Sequence, residues 1–187
     1  MISAVVLATG KAEGTAAPSF LRPLRGKPAL QWVLEGAIRS ALDEVICVAA
    51  NLTLARPQIS LVDEKLFWLV DYGADRGKSH PMIAGLWTVH AQSSGVLFLS
   101  GDGPSVRKEL IDALIVIFKT SGAWIVAPSF HGAPGKPLLF RREIFPELLK
   151  LSGDREGLEL IDKYRAKTAL IEWTEDIPFA ERQLANR

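Results

Sequence analysis

A chain of 187 residues, 48% of them apolar, is long enough to bury one substantial core and too short to split readily into two full domains. Lysine plus arginine (22) nearly balance aspartate plus glutamate (21), so a formal charge of +1 provides no global basic field for nucleic acid or an anionic membrane, and a charged ligand must be met locally. A single cysteine excludes an internal disulfide or a cysteine cage for a metal, and no stretch reaches the roughly 18 apolar residues of a membrane span.

In chain order, Ile2 to Ala8 is an apolar strand without the cationic flank or cleavage site of an export signal, so a cytoplasmic location is expected. Ala29 to Leu42 is predicted helical, with Leu30, Val33, Leu34, Ala37, Ile38 and Ala41 on one face. Val45 to Ala49 is a second strand, and Cys47 within it is expected to be an inert core residue. Asn51 to Lys65 is irregular, Leu66 to Val70 is a third strand, and Ser79 to Gln92 is a helix capped by Ser79 with Pro81 in its first turn. His90 falls inside that helix.

Val96 to Ser100 is apolar on both faces, as a central parallel strand should be, and a helix from a Ser105 cap to Phe118 follows it. Ala123 to Ala127 and Pro137 to Phe140 are further strands, Arg142 to Lys150 and Asp154 to Arg165 helices, and Ala169 to Trp173 a late strand. Trp32, Trp68, Trp87, Trp124 and Trp173 each fall in an element and are assigned to the core, and Lys136 is expected to be solvated. Strands alternating with helices predict a three-layer α/β/α sandwich with a mostly parallel sheet, as one domain over residues 1–187.

Ligands in such sheets bind at the carboxyl ends of strands, which nominates the turns after Ala8 and after Ser100. In the first, Gly10 can bring backbone N–H groups close to phosphate, and Lys11, Arg22, Arg25 and Lys27 can neutralise it; a solvated connection explains the same residues equally well. In the second, Asp102 stands between Gly101 and Gly103 directly after a buried strand, a place for Mg²⁺ against nucleotide phosphates or, alternatively, for an Asx-turn or a cap of the helix beginning near Ser105. The segment Gly73 to Ser79 is one residue short of Walker-loop spacing. His80, His90 and His131 are too scattered to suggest a metal site.

Together these segments resemble the molybdenum cofactor guanylyl- and cytidylyltransferases, the MobA-like family of the Rossmann-like nucleotidyltransferase fold. That family opens with L-A-A-G-x-S-x-R-M-G-x-x-K and ends a central strand with L-x-G-D-x-P; this chain has Leu7-Ala8-Thr9-Gly10 and Leu99-Ser100-Gly101-Asp102-Gly103-Pro104. Gly77 to Leu86 resembles the family's serine-rich turn and A-G-L helix, and Ile125 to Phe140 its strand and G-x-P-x-x-F hairpin. The resemblance implies transfer of CMP or GMP from CTP or GTP to molybdopterin with Mg²⁺, releasing pyrophosphate. It places Leu7, Ala8, Thr9, Gly10 and Gly101 at the nucleotide, Lys11 and Arg22 as its cations, Asp102 on the metal, and Ser79 and His80 in the nucleotide or acceptor pocket. A molybdoenzyme or cofactor-assembly partner is implied by the same resemblance.

Aligned without gaps from Leu7 to Leu24, the family's arginine falls on Gly14, its methionine-glycine pair on Thr15-Ala16 and its signature lysine on Ser19. The late D-x-D-T-P-E-D-like segment is replaced by Glu175-Asp176-Ile177-Pro178-Phe179-Ala180-Glu181. These departures keep two alternatives open: a degenerate, non-catalytic nucleotide- or cofactor-binding assembly protein, and a transferase with a sugar-phosphate or phospholactate acceptor.

Overall fold

The computed structural model describes residues 1–9, 18–73, 76–103 and 106–173. Strand β1 (Ile2–Ala8) is buried except at Leu7, because it pairs in parallel with β4 (Glu44–Ala49) on one side and β6 (Gly95–Ser100) on the other. Between β1 and β4 lie the short antiparallel pair β2 (Pro23–Leu24) and β3 (Lys27–Pro28) and helix α1 (Ala29–Arg39). Helix α1 ends three residues earlier than its apolar periodicity predicts. There Ser40 turns its hydroxyl and its N–H onto the Ala37 carbonyl, which competes with continuation of the helix.

After β4, the stretch expected to be irregular holds a short helix, α2 (Leu52–Ala55), capped by Asn51, whose side chain accepts from the Leu54 N–H at 3.0 Å. β5 (Leu66–Val70) adds to β4 in parallel and forms one edge. Helix α3 (Ser79–Thr88) is shorter than predicted, since Val89 is extended, and His90 lies beyond its end. Ser79 is not the cap: Lys78 holds that position, and Ser79 is a buried residue of the first turn.

Helix α4 (Lys108–Ser121) follows β6 and ends at Gly122 in the left-handed region. Ser105, expected as its cap, lies outside the described residues, and Arg107 stands at the cap position. β7 (Ile125–Phe130) carries the short strand β8 (Ala133–Pro134) and is joined to β6 through the antiparallel β9 (Leu138–Arg141). The two predicted late helices shrink to α5 (Phe145–Leu148) and α6 (Glu159–Lys163), the second because residues 153–157 form a turn with positive φ at Gly153 and Gly157. β10 (Thr168–Glu172) pairs with β7 at the far edge.

The eight-stranded sheet runs β10-β7-β9-β6-β1-β4-β5, with β8 on β7, and is parallel except at β8 and β9. One core lies between the sheet and α1 with α4, through residues such as Leu30, Leu34, Ile111 and Leu114. A second core covers the other face with α3, α5 and α6, through Met82, Leu86, Leu148 and Ile161. Trp87 does not join it: 74% exposed, it departs from the core assignment because it falls on the outer face of α3. The parallel strands β1, β4, β5 and β6 all present their carboxyl ends at the same rim.

Candidate active site

At that rim, β6 ends in a tight turn whose geometry demands glycine. A Cβ on Gly101 would stand 2.8 Å from the Leu7 carbonyl oxygen, which instead accepts the Gly101 N–H at 2.9 Å. The turn closes through the Gly103 N–H on the Ser100 carbonyl, leaving Asp102 exposed at its tip. Ser100 Oγ donates to Asp102 Oδ1 and Ser19 Oγ to Asp102 Oδ2 at 2.7 Å. Ser19 is placed there by the 3-10 turn Ser19–Leu21, which is anchored by the buried Phe20. Partial desolvation by the surrounding turn pushes the Asp102 carboxyl up, but the two hydroxyls, a backbone N–H and the nearby Arg22 charge outweigh it and hold the group below the ordinary carboxylate range. Both oxygens accept serine hydroxyls, and the residues an Asx-turn or a helix cap at Asp102 would involve, Pro104 and Ser105, lie outside the described residues.

Leu7, buried Ala8 and Thr9 stand at the carboxyl end of β1 as expected, while Gly10 and Lys11 lie outside the described residues, as do Gly14, Thr15, Ala16 and the segment from Glu175. Leu7 and Ser100 line a small cleft of about 20 Å³ with Met82, Phe98, Lys136 and Glu156. A larger hollow of about 370 Å³ opens elsewhere, between α1 and the start of α4, and Asp102 is not in its lining. The rim position of Asp102, set by strand ends, outranks volume as the guide to chemistry.

His80 does not meet Asp102. Its Nδ1 lies 2.7 Å from Oδ1 of Asp71, a buried carboxylate just after β5 whose other oxygen, Oδ2, has no hydrogen-bond partner among the described residues. The Gly73 N–H donates to Asp71 Oδ1 at 3.0 Å, and a Cβ on Gly73 would fall 2.2 Å from the His80 ring, so glycine is required for the imidazole to lie there. Asp71 was not among the sequence candidates. Its signal was available, an acidic residue ending a parallel strand, but was masked by the Walker-like residues that come after it.

Ser79 is buried and spends its N–H on the Gly153 carbonyl at 2.9 Å, a structural tie to the loop after α5. Lys136 is exposed, as expected, and also pairs with Glu156 at 2.5 Å. No group of three or more His, Cys, Asp or Glu side chains suited to a metal occurs among the described residues. The lone carboxylate still fits Mg²⁺, which is commonly held by one or two carboxylates together with substrate phosphates.

A profile of the MobA-like NTP transferase domain matches residues 4–169. No functionally curated protein matches the chain. Among solved structures, Rv0371c of Mycobacterium tuberculosis H37Rv is 23% identical over 100% of this chain and 98% of its own, with a TM-score of 0.83. Its manganese complex superposes at a TM-score of 0.75, with 23% identity over 99% of this chain and 98% of its own. The 4-diphosphocytidyl-2C-methyl-D-erythritol synthase of Anaerococcus prevotii DSM 20548 shares the fold at 18% identity, over 98% of this chain and 96% of its own, with a TM-score of 0.72. With nearly its whole described length matched and a glycine-bounded aspartate at the end of the central strand, the chain belongs to the MobA-like NTP transferase domain family.

Proposed function

We propose that the protein is a single-domain cytoplasmic nucleotidyltransferase that moves CMP or GMP from CTP or GTP onto the phosphate of molybdopterin. In this reaction an acceptor phosphate oxygen forms a bond to the α-phosphorus, the α–β anhydride bond breaks, and pyrophosphate leaves. The observation that carries the reading is Asp102, placed at the end of β6 with its carboxylate held below the ordinary range by two serine hydroxyls. Asp102 would hold Mg²⁺, which supplies charge neutralisation at the phosphates; a manganese complex of the similar Rv0371c supports a divalent ion here.

The chain's own residues contribute mainly position and charge, as is usual for phosphoryl chemistry. Arg22, exposed and near enough for its charge to act on Asp102, would neutralise part of the triphosphate's charge. The ends of β1 and β6 supply a narrow floor for the nucleotide through Leu7 and Ser100. His80, in the first turn of α3 with its Nδ1 2.7 Å from Asp71 Oδ1, would be the chain's nearest imidazole to the acceptor side.

Purified protein supplied with molybdopterin, Mg²⁺ and either CTP or GTP should release pyrophosphate, and Asp102→Asn should reduce release by about 100-fold or more, the range for loss of a principal charge-stabilising group. Absence of pyrophosphate with all four nucleotides and molybdopterin would sink the assignment; release only with a sugar phosphate or phospholactate would reassign the acceptor. A second reading, nucleotide binding without turnover in a cofactor-assembly partner, is favoured by Ser19, which occupies the place of the family's lysine and faces Asp102 with a hydroxyl instead of a cation. Ser19→Lys separates the two: a gain in pyrophosphate release supports a transferase framework weakened at one position.

A further inference from the structure

The cleft at the ends of β1 and β6 is lined by Lys136 and Glu156, and Lys78 joins them as a third charged side chain through Glu156. Lys136 Nζ lies 2.5 Å and Lys78 Nζ 3.5 Å from the same oxygen, Oε2 of Glu156. The lysines come from different elements, one from the turn before β9 and one from the residue preceding α3, and Lys136 and Glu156 both line the cleft with Leu7 and Ser100. Two ammonium groups drawn to a single oxygen repel each other, and a pairing this exposed contributes little to stability. A doubly charged anion between the lysines would relieve that repulsion more fully than the single carboxylate does.

The backbone holds this place in readiness. The Ser79 N–H donates to the Gly153 carbonyl at 2.9 Å and the Lys78 N–H to Asp154 Oδ1 at 3.3 Å. Gly77, at φ +103, lets the loop approach so closely that a Cβ there would stand 2.5 Å from the Gly153 oxygen. The backbone that carries Lys78 is thus placed before a ligand arrives. Glu156 keeps 24% of its side chain exposed, so it can leave by rotating into solvent with no backbone movement.

We infer that Lys78 and Lys136 form the binding site for a phosphate monoester group of the acceptor, and that Glu156 occupies this site until the acceptor displaces it. That the ligand is the acceptor rests on the transferase reading above. Charge selects the class: two lysines and one carboxylate leave a net +1, and replacing the monoanionic carboxylate by a phosphate dianion brings the cluster to neutrality, which a carboxylate ligand cannot do. Lys78 and Lys136 are positioned to bind and orient, and no proton transfer is assigned to them.

The test uses the full chain and inorganic phosphate as probe, titrated by calorimetry with and without saturating CTP and Mg²⁺, and with acetate as the monoanion control. Glu156→Gln should tighten phosphate about tenfold and acetate distinctly less, with the gain persisting when nucleotide is present. Lys136→Met or Lys78→Met in the Glu156→Gln background should remove the gain while thermal stability is retained. An unchanged phosphate affinity in Glu156→Gln, or a gain that survives loss of both lysines, overturns the assignment. Phosphate binding as described in a protein that binds no nucleotide would leave the site standing and remove the transferase reading instead.

Discussion

The Ser19 hydroxyl crosses 83 residues of sequence to reach Asp102, and with Ser100 it keeps that carboxylate ionised at the rim. A carboxyl held below its ordinary range stabilises the fold fully above its unfolded pKa and loses that contribution as pH falls through its folded value. Ser19→Ala should therefore cost up to about 1 kcal/mol at neutral pH, and the difference from wild type should shrink as the medium is acidified; urea unfolding across pH measures both. A deficit that persists unchanged into acid would mean that Ser19 acts through packing. Cys47, fully buried in β4, has its thiol pushed upward by burial alone, so it is a structural hydrophobe. It should resist a thiol-specific disulfide reagent in the native protein and react on unfolding; rapid native labelling would contradict its burial.

At the scale of elements, α3 determines how the rim is furnished, because it carries His80 and begins at the loop holding Lys78. It lies against the sheet at Gly85, where a Cβ would come 2.4 Å from Val5 Cγ1 and 3.1 Å from Val48 Cγ2. Gly85→Ala should favour the isolated helix and still destabilise the protein by about 1–3 kcal/mol, since overpacking at a rigid sheet outweighs propensity. Guanidinium unfolding reads this directly, and a stabilised variant would show that α3 can lift from β1 and β4. The same helix illustrates a limit of periodicity: its apolar spacing continues past Thr88, yet the chain turns out at Val89 to reach the next strand, β6.

For the molecule as a whole, the sheet separates two cores that share strands but face opposite ways. Ile111 of α4 lies in one and Ile46 of β4 in the other, both fully buried. Ile111→Val and Ile46→Val should each cost about 0.5–1.5 kcal/mol, and the double variant should equal their sum within about 0.5 kcal/mol, as expected for sites without shared partners. A larger coupling, measured by a double-mutant cycle, would mean that strain passes through the sheet. Acid should weaken the protein further through Glu35. Burial pushes its carboxyl up, but hydrogen bonds from Lys27 and Gln31 prevail and lower it. Its contribution likewise disappears as pH falls through the folded value.

The alternation of apolar strands with helix-period segments determined the α/β class by itself, because strand and helix periodicities are local properties of the chain. Leu7-Ala8 and Gly101-Asp102 could be placed at strand ends for the same reason, and their order along the chain carried the family resemblance. Contacts between distant residues were not legible. Ser19 read as a lost lysine became a donor to Asp102, Lys136, exposed as read, proved also to be one of two cations on Glu156, and Asp71 gained its meaning only beside His80. Helix ends behaved likewise: the turn at residues 153–157 replaced predicted helix because its carbonyl and carboxylate are committed to the start of α3. Local pattern assigns elements, whereas hydrogen bonds and charges between segments far apart in sequence exist only once the sheet has brought them to one rim, and there the site's chemistry is decided.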